Sequence, residues 1–129
     1  MSVTAVRDAV LFTGAVPDAY TTDGTFDARF GASAADTVLV FIKYLKGTGT
    51  GLTFKIELYD QIGVKHKLGV DSGAGAWSAQ ADQTMAADGN IVVTVTDPGF
   101  GLHISVKDTG GAHGTSTITV SAVGVGARG

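Results

Sequence analysis

The sequence contains no cysteine, which excludes disulfides and thiolate chemistry and fits synthesis in a reducing cytoplasm. Glutamate is almost missing, since Glu57 is the only one among 12 acidic residues. That leaves aspartate and glycine, which favour turns, where helix faces would need glutamate. No apolar run approaches the roughly 20 residues of a membrane-spanning helix, so no membrane partner is expected. The first eight residues lack a basic start followed by a long apolar stretch, so no signal peptide is expected. Concentrated positive charge is missing too. Net charge is −3, and only Lys43 with Lys46 and Lys65 with Lys67 come near to a cluster. Nucleic-acid binding driven by phosphate contacts is therefore not expected.

What is present describes a small β protein. A chain of 129 residues has room for one domain and one core, here 1–129 with short termini (about 1–8 and 122–129) that are flexible or form an interface. The composition is 44% hydrophobic and 16% charged, too apolar for a disordered chain. Nineteen glycines accompany abundant threonine and valine, a mixture that favours strands joined by tight turns.

Period-two alternation supplies the strands. Ala9 to Val16 is apolar and reads as a first strand ending at Pro17-Asp18. Phe26, Ala28 and Phe30 alternate with Thr25, Asp27 and Arg29. Leu52, Phe54, Ile56 and Leu58 alternate with Thr53, Lys55, Glu57 and Tyr59, the clearest amphipathic strand in the chain. Val64 to Val70 reads as a polar strand after a turn at Asp60 to Gly63. Ile91 to Val95 is β-branched throughout, Leu102, Ile104 and Val106 alternate with His103, Ser105 and Lys107, and Ile118, Val120 and Ala122 close the pattern. The run Val38 to Ile42 has no polar face and is expected to be buried on both sides. Turn signals every 8–12 residues or so, with no sustained helical period, predict an all-β fold. The expected form is an antiparallel β-sandwich, with a jelly roll as one form of it, of about seven to nine strands. Phe54, Ile56, Leu58, Leu102, Ile104, Ile118 and Val120 form the expected core.

Candidate chemistry is thin. A zinc site needs three or four converging ligands with a close pair, and His66, His103 and His113 are far apart in sequence, with His66 and His103 on expected solvent faces. Asp18, Asp23 and Asp27 do not have the spacing of a calcium loop. Gly124 to Gly129 spells the dinucleotide fingerprint, but no helix follows it, and a flexible tail is the expected reading. No G-x-S-x-G elbow or phosphate loop with lysine occurs, and no second glutamate could pair with Glu57 for glycoside hydrolysis. The chain is therefore expected to be no enzyme and to need no cofactor or metal. Trp77, Tyr44 and Tyr59 could form a stacking platform in a carbohydrate-binding module, the rival class.

Two stretches carry a resemblance. Val40 to Tyr44 followed by Gly47 to Glu57, and Leu102 to Gly111 followed by Gly114 to Val120, each give a strand, a Gly-Thr loop and a further strand. This pattern resembles small virion structural proteins of tailed bacteriophages. The resemblance implies a β-sandwich that decorates or cements the capsid, with tail or fibre as compatible positions. The protein would be made in the host cytoplasm and end in the virion, with the major capsid protein or other virion subunits as partners.

Surplus apolar sequence points the same way. Val10, Leu11 and Phe12, then Val38, Val40 and Ile42, then Val123 and Val125 are expected to form an interface. Self-association is expected with them, as a homo-oligomer and foremost a trimer matching local threefold positions of an icosahedral shell.

Overall fold

The structure, a computed structural model, describes residues 2–20, 24–26, 36–71, 73, 75–96, 98 and 100–128. These hold eleven strands and no helix. Six strands are long: β1 (Ser2–Ala15), β3 (Thr37–Leu45), β4 (Leu52–Tyr59), β9 (Gly89–Thr96), β10 (Leu102–Asp108) and β11 (Thr117–Arg128). Five are short: β2 (Thr25–Phe26), β5 (Lys65–Lys67), β6 (Gly69–Asp71), β7 (Trp77–Ala79) and β8 (Gln83–Met85). The count exceeds the expected seven to nine because the polar stretch after Asp60 breaks into two short pieces instead of one strand, and β7 and β8 follow in a region of weak alternation.

Every pairing is antiparallel. Sheet A has the order β1-β11-β3-β9. Sheet B has the order β2-β10-β4-β5, with β8 also paired to β4, and β6-β7 forms a separate ribbon. The core lies between the two large sheets. Val38, Val40, Ile42 and Tyr44 from β3 and Ile118, Val120 and Ala122 from β11 face Leu52, Phe54, Leu102, Ile104 and Val106 of sheet B. Ile56 and Leu58 are half-buried rather than fully inside, because they lie toward the open side of the sandwich.

Two expectations change here. The run Val38 to Ile42 is not buried on both sides. It alternates like any strand, with Val38, Val40 and Ile42 in the chain's own core, while Leu39 is half-buried and Phe41 exposed on the outer face. Nor is the sequence Gly124 to Arg128 a flexible tail. It continues β11 and pairs with β1 as far as Ser2↔Arg128, so glycine here serves a strand. The alternation expected over Thr25 to Phe30 is described only for Thr25 and Phe26, which pair with β10, and the rest lies outside the described residues.

At one end of the sandwich the two Gly-Thr loops lock together. Thr48 donates its backbone N–H to the Thr115 hydroxyl at 3.0 Å, and Thr115 returns one to the Thr48 hydroxyl at 2.9 Å. The fit requires glycine. A Cβ on Gly114, which has φ +57°, would lie 2.1 Å from the Thr48 hydroxyl. Beside this pair, the buried Asp108 carboxylate accepts from the backbone N–H groups of Thr50, Gly110 and Ala112, each at 3.0 Å, and from the Thr50 hydroxyl. Burial pushes this carboxyl up, but the hydrogen bonds from Thr50, Ala112 and Gly110 outweigh it and bring it down to about 2.

Candidate interaction surface

The outer face of sheet A is built by alternation and by one bulge. In β11, Ser121, Val123 and Val125 point away from Val120, Ala122 and Gly124 and are half-buried. In β9, Val92 and Thr94 point away from Ile91, Val93 and Val95. In β1 the register slips between Val10 and Phe12, so Val10 pairs with Ser121 and Phe12 with Val120. Leu11 is the extra residue. The bulge sends Val10 outward and turns Phe12 inward, where it packs against the core with Ala9 and Leu11.

The register then aligns Val10, Ser121, Phe41 and Val92 in one row across all four strands. Val10 is 65% exposed, Phe41 42% and Val92 52%. The next row places the half-buried Val123 and Leu39 beside Thr94. On the other side the patch ends at Thr119, Lys43 and Asn90, with Thr13 and Thr119 sharing a hydroxyl hydrogen bond at 3.2 Å. An antiparallel sheet with one solvated face ordinarily carries polar residues there. Exposed valine and phenylalanine across such a face, with only Ser121 between Val10 and Phe41, are the pattern of a contact surface.

The expected interface residues therefore divide. Val10, Val123 and Val125 lie on this outer face. Leu11 and Phe12 pack against the core, and Val38, Val40 and Ile42 are wholly inside it, unavailable to a partner. Leu39, Phe41 and Val92 belong to the patch and were missed. For Leu39 and Phe41 the signal was the alternation hidden inside an all-apolar run.

The outer face of sheet B is different, being polar and strapped over by the chain leaving β1. Asp108 donates its N–H to the Pro17 carbonyl, His113 bonds Asp18 at 2.6 Å, and Ile104 donates to the Gly24 carbonyl. Lys55 and Lys107 hold their ammonium groups 4.8 and 5.0 Å from the Tyr20 ring centre. The Tyr20 hydroxyl donates to Asp82, which also takes Lys67 at 2.5 Å. Burial, then the Asp82 contact, pushes the Tyr20 phenol up, while Lys67 and Tyr20 hold Asp82 down.

This strap buries β10 on both faces, so His103, expected on a solvent face, is only 2% exposed. Its Nδ1 lies 3.2 Å from the Ser105 hydroxyl, and Tyr59 meets its ring edge-on. A serine beside a histidine suggests nucleophilic chemistry, but both side chains are shut away from solvent, and a nucleophile needs access to its substrate.

His66 is exposed and bonds Asp60 at 2.8 Å. Asp23 and Asp27 lie outside the described residues. Among the described residues no group of three or more histidine, aspartate or glutamate side chains converges as a metal site would require. The aromatic platform is not formed either. Tyr44 is buried in the core, Tyr59 is half-buried with its hydroxyl 2.9 Å from that of Thr25, and Trp77, 71% exposed, lies over Gly69 in the β6-β7 ribbon.

No family model matches the chain, and no curated protein matches its sequence. Among solved structures, the SPBc2 prophage-derived protein YomS is similar, with a TM-score of 0.56 and 12% identity. The similarity covers 98% of this chain and 96% of that one, so the two share a fold over essentially their whole lengths.

Proposed function

We propose that this chain is a non-enzymatic structural protein of a bacteriophage virion, seated on the capsid as a decoration or cement protein. The observation that carries the reading is the apolar row Val10, Phe41 and Val92 on the outer face of sheet A. Such a face is excluded from water only when another protein covers it. The fold it shares with a prophage-derived protein supports a phage origin. Loops clamped at one end by Asp108 and the Thr48–Thr115 pair give the rigid body that a cement protein needs.

In this role the chain works by adding many modest contacts over a repeating lattice, where avidity multiplies weak affinities. Its partners are other virion subunits, foremost the major capsid protein, and copies of itself. The test is to incubate the purified protein with empty shells of the phage or prophage that encodes it, and to separate bound from free on a gradient. Comigration with shells supports the reading. Comigration only with tails or fibres moves the protein to another virion position. Binding to a glycan array without binding to any virion part overturns it in favour of a carbohydrate module.

A further inference from the structure

Sheet A has two edges, and they are built differently. Edge strands expose unpaired N–H and C=O groups, which proteins guard with charges, proline or bulges. The β1 sequence carries Arg7 and Asp8, and its register with β11 slips twice, between Ala5 and Arg7 and between Val10 and Phe12. β9 has none of these guards. Gly89–Thr96 contains no charge and no proline, and it pairs with β3 without a slip from Thr37↔Thr96 to Tyr44↔Gly89. Ile91 through Thr96 are all β-branched. Among the described residues β9 pairs with β3 alone.

Behind this edge, among the described residues, the two sheets do not close on each other. A cleft of about 440 Å³ opens between β9 and the β4-β8 side of sheet B. Ile56, Leu58, Met85, Ile91 and Val93 line it, half-buried and packed against the core from one side only.

We propose that β9 is a pairing edge and that its occupant is β9 of a second copy, antiparallel about a two-fold axis through Val93. The strand is self-complementary about that residue. Inward-facing Ile91, Val93 and Val95 alternate with outward-facing Asn90, Val92, Thr94 and Thr96. With Val93 opposite itself, Ile91 meets the partner's Val95, Val92 meets the partner's Thr94, and Asn90 meets the partner's Thr96. Apolar residues face apolar ones inside, and uncharged residues meet outside. Centring on Val92 instead would set Gly89 against the partner's Val95 and Asp88 against the partner's Thr96, losing both packing and neutrality. The pairing brings the two clefts together around the axis. It also joins two four-stranded sheets into one, so the row ending at Val92 meets the partner's Thr94 and, beyond it, the partner's Leu39 and the partner's Val123. It is a dimeric contact rather than the threefold one expected from the sequence, and it stands on the edge and cleft alone, independent of the virion reading.

The test uses sedimentation and site-specific crosslinking, which the absence of native cysteine makes clean. The full chain should sediment at twice its monomer mass. Val92 and Thr94 are exposed, so the double variant V92K/T94K should stay folded, with the circular-dichroism spectrum of the wild type and a melting temperature that no longer rises with protein concentration. Its lysines face those of the second copy, so it should sediment as a monomer. Under mild oxidation Val93→Cys should form a disulfide dimer, since facing Cα atoms in such a pair lie about 4.5–5.5 Å apart. Asn90→Cys should not, because its two copies would sit six residues apart along the strands, about 20 Å. A monomeric wild type up to its solubility limit would overturn the proposal. So would a V92K/T94K variant that stays dimeric, or crosslinking at position 90 as ready as at 93.

Discussion

Replacing Asp108 with asparagine isolates the interaction that closes one end of the sandwich. The carboxylate is fully buried and accepts four hydrogen bonds, three on one oxygen (Gly110 N–H, Ala112 N–H and the Thr50 hydroxyl) and one on the other (Thr50 N–H). Asparagine keeps the shape but removes the charge and turns one oxygen into a donor. Facing either way, it leaves at least one donor opposed by an NH₂ group. Hydrogen bonds to a charged group contribute about 1.5–3 kcal/mol each. Thr50, Gly110 and Ala112 are exposed, so freed donors reach water and the cost falls below a full sum. The expected loss is about 2–4 kcal/mol, read as a lower urea midpoint with unchanged slope. Asp60→Asn is the control. That carboxylate accepts from Ile62 and Val64 and bonds His66 in a half-exposed turn, and the loss there should be clearly smaller than at Asp108. A loss below about half a kcal/mol at Asp108, as for an ordinary surface site, would refute the assignment of this residue as the loops' anchor.

The folded Asp108 carboxyl sits at about 2 against an ordinary 3.8, so the unfolded chain takes up the proton first on acidification. Its stabilisation should be complete above about pH 4 and disappear between pH 4 and 2, and the gap between wild type and Asp108→Asn should close over that window in melts at stepped pH. Among the described residues the buried Tyr44 hydroxyl has no hydrogen-bond partner, so Tyr44→Phe should leave stability unchanged or raise it, and a loss above about 1 kcal/mol would contradict that reading. Ile104→Ala, in the core, should lose about 2–5 kcal/mol, whereas Ile56→Ala at the open cleft should lose clearly less; equal losses would mean the cleft is closed in solution.

Much of this fold is written in the sequence as period-two patterning. β4, β9, β10 and the first half of β11 follow from alternation or β-branched runs, and the turn at Asp60 to Gly63 closes as expected, with Gly63 donating to the Asp60 carbonyl at 3.1 Å. Patterning shows which residues share a face, but not what covers that face. His103 and Ser105 alternate as polar residues should, yet the strap that buries them comes from residues some 80 positions earlier. Val38 to Ile42 hides its direction because both faces are apolar, so only pairing to β11 and β9 reveals that Phe41 looks outward. Val10 and Phe12 would share a face in a regular strand, and the bulge that separates them has no residue signature. The candidate surface was therefore half legible: its apolar surplus was visible, while its members depended on register.

The central claim is that the outer face of sheet A holds a virion partner, and the direct measurement is shell binding by the single variant Phe41→Asp. Phe41 is 42% exposed in the centre of the row and lies outside the buried core cluster, so the variant should still fold, with a loss of stability that melting reads separately from binding. A charge placed there must be desolvated unpaired by any partner that covers it, at a cost of several kcal/mol. In gradient sedimentation with empty shells, wild type should travel with the shells and Phe41→Asp should remain at the top. Equal binding of the two proteins would show that the shell is held elsewhere and would contradict the claim.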